Sequence, residues 1–251
     1  MRHFEQTEIT ERYTAYRPRV QTQVLGQIAA EAGWRERFAV AADVACGTGH
    51  STKPLTQYAE QVLGFDISEE MLTQAQAAFP NIAFQAAPAE NLPLEANSVD
   101  LLSVSFAFHW FDQPEFLNEV VRVLKPDGYF VFYDMVFPAE MAGNEAFQIW
   151  NKEVYRTRYP TPKRHRTPLK ELLENVDLEL ESVVTLDIPL TLSALELRNY
   201  FTTQSNVATA LDKGQTLAKI DDWLDRELAT HFTQPKETFA YRGQAAVLRP
   251  N

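Results

Sequence analysis

The chain has 251 residues, 45% of them hydrophobic and 23% charged, the composition of an ordinary folded domain long enough to bury a full core. Its formal net charge of −11 argues against a nucleic-acid partner, which needs a dominant basic face, and its single cysteine excludes an internal disulfide framework. The polar start Met1-Arg-His-Phe-Glu-Gln-Thr-Glu lacks a signal-peptide core and no apolar stretch reaches the length of a membrane span, so a soluble cytoplasmic protein is expected.

Residues 1–35 read as largely helical, with Tyr13, Tyr16 and Val20, then Val24, Ile28 and Ala29, at helical spacing and an interruption at Pro18. The organising stretch comes next. Val40-Ala-Ala-Asp43-Val-Ala45-Cys46-Gly47-Thr-Gly49-His-Ser-Thr52 reads as a buried strand, a tight turn and the first turn of a helix. Glycines at 47 and 49 permit positive φ and leave no Cβ, so a ligand can lie directly on the backbone, and the turn is a candidate cofactor seat. Asp43 lies on the strand, and Asp66 ends the next apolar run nineteen residues after Gly47. That is close to the spacing of about 20 at which a carboxylate at the end of a second strand takes a ribose hydroxyl. Thr52 stands where the dinucleotide fingerprint has its third glycine, which favours a nucleoside without pyrophosphate over a nicotinamide dinucleotide.

Apolar runs then alternate with helical patterns, as an α/β fold with a parallel sheet requires. Strands are expected over residues 40–45, 61–66, 82–86, 99–105 and 129–135, with helices starting at Ser51, Ser68 and Pro114. Ser68-Glu-Glu-Met71 places a capping hydroxyl and two carboxylates at a helix start. Past residue 135 the pattern gives a helix over 167–176, a strand over 178–191 and an amphipathic helix over 216–232 with Leu217, Ile220, Leu224 and Leu228 on one stripe. A closing strand over 237–248 follows. In a doubly wound sheet the ligand crosses the carboxyl ends of the strands, so Asp43, Asp66, Ala89, Ser105 and Phe106 are expected to face one cleft. The five histidines are scattered and no His-Glu-x-x-His or Cys-x-x-Cys spacing occurs, so no metal site is expected.

Six segments, in order, resemble the class I S-adenosylmethionine-dependent methyltransferases. They are the Asp43-to-Gly49 turn, Gly64-Phe-Asp66-Ile67-Ser-Glu-Glu-Met71, Ala89-Glu90-Asn-Leu-Pro93, Ser98-Val-Asp100, Phe108-His109-Trp110-Phe111 and Arg122-Val-Leu-Lys-Pro126-Asp-Gly128, over about residues 36–135. The His-Trp-Phe-Asp stretch is most similar to the trans-aconitate methyltransferase-like branch. The resemblance implies a Rossmann-like doubly wound sheet, mostly parallel with an antiparallel last strand, plus N-terminal helices and a helical cap. It also implies one methyltransferase domain over 1–251: an N-terminal cap (1–35), a cofactor-binding core (36–135), a cap insert (136–170) and a C-terminal part (171–251).

The implied cofactor is S-adenosylmethionine, with Asp66 on the ribose hydroxyls, Ile67 and Met71 clasping the adenine, and Ala89 and Glu90 at the adenine edge. Pro88 stands where many members carry an aspartate. Asp43, the turn backbone at Ala45, Gly47 and Gly49, and Ser105 complete the seat. Tyr13-Thr-Ala-Tyr16-Arg17-Pro18 resembles the opening Tyr-x-x-Tyr-Arg-Pro of the same branch, which puts Tyr16 and Arg17 at the methionine carboxylate, a role suited to an arginine fork. Phe106 and Trp110 offer aromatic faces to the sulfonium.

His109 is the candidate catalytic residue, as a general base, or else as an orienting or loop-holding group. The expected acceptor is a small molecule, and a carboxylate oxygen needs no base. Methylation of a hydroxyl, amine or ring carbon, and a non-catalytic cofactor-binding protein, are the competing readings. Residues 136–170 carry Trp150, Tyr155, Arg156, Arg158, Tyr159, Lys163, Arg164, His165 and Arg166, a basic and aromatic cluster suggestive of an anionic acceptor.

Overall fold

The computed structural model describes Arg12, residues 15–162 and residues 167–251. Tyr13 and the basic run at 163–166 lie outside the described residues, as do residues 1–11 and 14.

Seven strands form one sheet: β1 (Phe38–Val44), β2 (Ala59–Asp66), β3 (Ala83–Ala86), β4 (Val99–Ser105), β5 (Leu124–Val136), β6 (Leu178–Leu192) and β7 (Glu237–Pro250), in the order β3-β2-β1-β4-β5-β7-β6. The pairs β1–β2, β1–β4, β2–β3 and β4–β5 are parallel. The sheet is mostly parallel with an antiparallel last strand. β4 matches its expected span residue for residue because it is a continuous apolar run with a partner on each side, and all but Asp100 of its residues are buried. β5 starts five residues earlier than expected: Val99 pairs with Leu124 and Leu101 with Tyr129, so the intervening Pro-Asp-Gly turn bulges within the strand instead of preceding it.

Period-two alternation gives the central strands two different faces. One is apolar: Ala42, Val44, Leu102, Val104 and Phe130 pack against Phe116, Leu117 and Val120 of the helix Gln113–Val123. Asp112 caps that helix, accepting the Glu115 N–H at 3.3 Å, and Pro114 occupies its first turn. Each buried Phe, Leu or Val of the stripe contributes roughly 1.5–3 kcal/mol. The opposite face turns polar near the carboxyl ends, where Asp43 aligns with Ser103 and Ser105 with Tyr133.

The described residues fall into two compact units. One takes in those within Arg19–Met135, Arg166–Leu186 and Gly243–Asn251 and contains the parallel core. The other takes in those within Met1–Pro18, Val136–His165 and Asp187–Arg242. In this second unit Tyr155 stacks on Phe201 with ring centroids 4.5 Å apart, and Trp150 donates its indole N–H to Glu227 at 2.7 Å. The helix Ala194–Phe201 opens with a capping box of Ser193 and Glu196, and the helix Leu217–Ala229 buries Ile220, Leu224 and Leu228.

Candidate functional site

The turn after β1 departs from ordinary backbone geometry at three residues: φ is +55° at Ala45, +53° at Gly47 and +80° at Gly49. Its two glycines face different surroundings. A Cβ on Gly49 would sit 2.9 Å from both Phe79 and Phe84, whereas a Cβ on Gly47 would meet nothing nearer than the Met71 sulfur at 3.4 Å. The first has no room because rings pack there; the second, among the described residues, would make only an ordinary contact with Met71. Gly64 on β2 packs as tightly against Phe84, so Gly49 and Gly64 supply the close approach expected of a third glycine. Thr52, standing at that third position, is buried and donates its hydroxyl to Asp43 at 2.7 Å.

Asp66 ends β2 with both carboxylate oxygens engaged by backbone. Gly47 N–H donates to Oδ2 at 2.8 Å and Ser68 N–H to Oδ1 at 2.9 Å. Burial raises its pKa, opposed by the N–H groups of Ser68, Gly47 and Ile67. The carboxylate still keeps capacity for a further donor. Ile67 beside it is 62% exposed, unusual for an isoleucine, and Met71 donates its N–H to the Ser68 hydroxyl at the start of the next helix.

Asp43 is fully buried. Ser51 and Thr52 both donate to its Oδ2 at 2.7 Å, and its Oδ1 has no partner. Burial pushes its pKa up to about 7, with the Thr52 and Ser51 hydroxyls opposing and the Asp66 charge adding to the rise. Across β4 and β5 lie three more buried polar atoms without partners: the hydroxyls of Ser103, Ser105 and Tyr133. Ser105 and Tyr133 are cross-strand neighbours, and the Ser105 hydroxyl lies near enough to oppose the rise that burial gives the Tyr133 pKa. An unsatisfied buried group costs about 1–3 kcal/mol, so a polar row of this size stands out in a sheet otherwise filled with Val, Leu and Ala.

Phe106 follows β4 with φ +59°, donates its N–H to the Tyr133 carbonyl at 3.0 Å and packs edge-on against the Tyr133 ring. A left-handed phenylalanine is costly and recurs where a site dictates backbone shape. The 3₁₀ turn Phe108–Trp110 then brings His109 Nδ1 within 4.0 Å of Asp134 Oδ2 on β5. Trp110 is 42% exposed, its ring centroid 4.8 Å from the imidazole. Ala89 is buried, and Glu90 accepts the Asp112 N–H at 3.0 Å, tying that loop to the following helix.

The core unit therefore gathers Asp43, Ala45, Gly47, Gly49, Asp66, Ile67, Met71, Ser105, Phe106, His109 and Trp110 at or beyond the carboxyl ends of β1, β2 and β4. Tyr16 and Arg17 belong to the other unit, where Arg17 donates to the Thr203 carbonyl at 3.3 Å and lies 5.9 Å from the Tyr200 ring centroid. Sequence reasoning missed Ser51, Thr52, Ser103, Tyr133 and Asp134. Only strand register, read once the order β1-β4-β5 is known, aligns the last three with the turn.

Residues 42–132 match the family model described as "Methyltransferase domain". Over these residues the chain resembles the methyltransferases. The protein is a methyltransferase. A methyltransferase-like protein of Dictyostelium discoideum is 25% identical over 209 residues, covering 82% of this chain and 78% of its own. The ubiquinone/menaquinone biosynthesis C-methyltransferase UbiE of Campylobacter jejuni is 39% identical over 98 residues, 36% of this chain and 42% of that protein. Thus the chain spans well under half the length of this second relative. Among solved structures, the Bacillus subtilis YcgJ protein shares the fold with a TM-score of 0.54 at 20% identity, over 90% of this methyltransferase and 98% of that chain. A methyltransferase-like structure from Anaeromyxobacter dehalogenans reaches a TM-score of 0.69 at 20% identity, over 93% and 96%. Among the described residues no helix is long and apolar enough to cross a membrane, and no cluster of three metal-ligating side chains occurs.

Proposed function

We propose that the enzyme methylates a small organic acceptor in the cytoplasm, with the cofactor lying across the carboxyl ends of β1, β2 and β4. The observation that carries this reading is Asp66, which the N–H groups of Gly47 and Ser68 hold at the end of β2 with acceptor capacity left for a ribose hydroxyl. The orphaned Asp43 Oδ1 and the uncrowded backbone at Gly47 fit the same ligand.

Bound S-adenosylmethionine supplies a methyl group on a positively charged sulfur. The chain does the rest by placement. Asp66 takes the ribose, Ile67 and Met71 flank the adenine, and Ala89 with Glu90 meets its edge. The turn backbone from Ala45 to Gly49 lets the ligand lie close, and Asp43 and Ser105 favour its ammonium group. Phe106 and Trp110 present π faces that favour the sulfonium without attacking it. Most of the acceleration comes from holding the reacting atoms in line with water excluded. In this reading the N-terminal cap, core, insert and C-terminal part serve one catalytic domain.

The resemblance of Phe108-His109-Trp110-Phe111 to the trans-aconitate-like branch makes a carboxylate oxygen, and so an anionic acceptor, the first class to screen. A second reading is favoured by the His109–Asp134 pair, which suits an acceptor that gives up a proton. Calorimetric titration with S-adenosylmethionine and, separately, NAD tests the first step. Binding of the former alone supports the reading; binding of NAD alone, or of neither, overturns it. Carboxylic acids, then phenols, amines and carbon acids, are next assayed for methyl acceptance.

A further inference from the structure

The two faces of the central strands are finished differently at their carboxyl ends. On one, Phe132 of β5 stacks on Phe108 with ring centroids 4.3 Å apart, and Val44, Val104 and Phe116 close the layer with hydrocarbon. On the other, Asp43 lies opposite Ser103 across β1 and β4, and Ser105, two residues further along, lies opposite Tyr133 across β4 and β5. None of these four residues is more than 8% exposed, so bulk solvent does not serve them. Asp43 Oδ2 already takes the Ser51 and Thr52 hydroxyls, but Oδ1 and the Ser103 hydroxyl have no hydrogen-bond partner among the described residues. A bond between the neighbouring Ser105 and Tyr133 hydroxyls would engage only one of the two protons they carry, and leave Asp43 and Ser103 as they are. The spacing suits a mediator. Adjacent strands run about 4.8 Å apart, and a water held by two oxygens at about 2.8 Å each spans that interval.

We infer that the row is an internal hydration site: an ordered water molecule donates to Asp43 Oδ1 and accepts from the Ser103 hydroxyl, and the hydroxyls of Ser105 and Tyr133 complete its bonding. Interior waters of this kind make about three bonds to groups that no side chain reaches. A divalent cation does not fit, because one carboxylate among neutral hydroxyls brings too little charge and too few oxygens. The water has a mechanical consequence. Asp43 secures the start of the following helix through Ser51 and Thr52, so a bridge from its other oxygen fastens the turn that carries Gly47 and Gly49 to β4. Oδ1 has two acceptor directions, which leaves one for a ligand's ammonium group. The site holds its water whatever the acceptor is, and so extends beyond the proposed methyl transfer.

Oxygen-17 relaxation dispersion of the cofactor-free, full-length protein counts internal waters with long residence times. Ser103→Val removes the hydroxyl and fills its surroundings with an added methyl, so the wild type is expected to show more long-lived water than this variant. Equal numbers overturn the assignment. Urea unfolding of Ser103→Ala gives a second reading that does not depend on the valine variant folding. A hydroxyl bonded to water is missed when deleted, and the unfolding midpoint falls; a dry, unsatisfied hydroxyl is a burden, and its deletion raises the midpoint. A raised or unchanged midpoint therefore overturns the bridge. Both measurements are made without S-adenosylmethionine, so their failure leaves the cofactor titration, and the methyl-transfer reading that depends on it, to be judged separately.

Discussion

Asp66 reaches back to the Gly47 N–H at 2.8 Å, so the carboxylate that ends β2 is also the clamp that shapes the turn after β1. One side chain thus orders the turn and offers itself to a ligand. Asp66→Ala is expected to weaken S-adenosylmethionine binding by about 1.5–3 kcal/mol, roughly 10- to 150-fold, for the lost charged hydrogen bonds. Asp66→Asn, which keeps one acceptor oxygen, should lose less. Calorimetric titration of both variants checks this, and near-native affinity in Asp66→Ala would remove the ribose assignment.

The two glycines of the turn should respond differently to the same change. Gly49→Ala forces a methyl into Phe79 and Phe84 and is expected to destabilise the protein by about 1–3 kcal/mol. Gly47→Ala should cost only about 1–2 kcal/mol for the left-handed backbone, yet lose cofactor affinity because its methyl projects from the uncrowded backbone of the cofactor turn. Urea unfolding paired with cofactor titration distinguishes the two; equal stability losses would mean that the turn packs differently.

Asp43 makes stability depend on pH in a direction opposite to most carboxylates. Its folded pKa, raised to about 7, exceeds the ordinary 3.8, so between those values the folded state holds more proton than the unfolded state. The stabilisation it lends is complete below about pH 4 and drains away as pH rises to 7. The free wild-type enzyme should therefore lose stability relative to Asp43→Asn between pH 5 and pH 8, and thermal unfolding at those two pH values measures the difference. A constant gap would show that Asp43 ionises normally.

Glu119 has the reverse sign. It is buried on the helix Gln113–Val123, accepts the Leu92 N–H at 2.6 Å and holds Arg122 through two bonds of 2.7 Å. Burial works to raise its pKa, but the Arg122 and Leu92 bonds and the Arg122 charge together outweigh it and keep it below the ordinary 4.5. Its contribution is present above that value and disappears as the carboxylate is protonated in acid. Glu119→Gln should be about 1–3 kcal/mol less stable at pH 7, and the deficit should shrink toward pH 3 in denaturant titrations.

The parts of the fold legible in the sequence were those set by local chemistry. Ser68 caps its helix as its spacing with two glutamates predicts, and the buried run at 99–105 becomes β4 unchanged. The helix Ala194–Phe201 likewise opens where Ser193 and Glu196 stand at capping-box spacing. Asp134 was not readable at all. Its importance comes from the register of β5 against β4, and nothing near it in the chain points to His109. Likewise Thr52 in place of a third glycine looked like a loss, because the partner it meets, Asp43, becomes its neighbour only when the turn closes.

The Phe108–Phe132 stack carries a further implication for how this enzyme tolerates change. The turn that carries the imidazole is braced by an oily joint one residue away. Trimming that joint, as in Phe132→Leu, alters no ionisable or hydrogen-bonding atom, yet it lets the 3₁₀ turn drift by tenths of an ångström. The damage would surface as slower turnover with cofactor affinity intact. Volume in the hydrophobic core is, at this point, a setting of the chemistry.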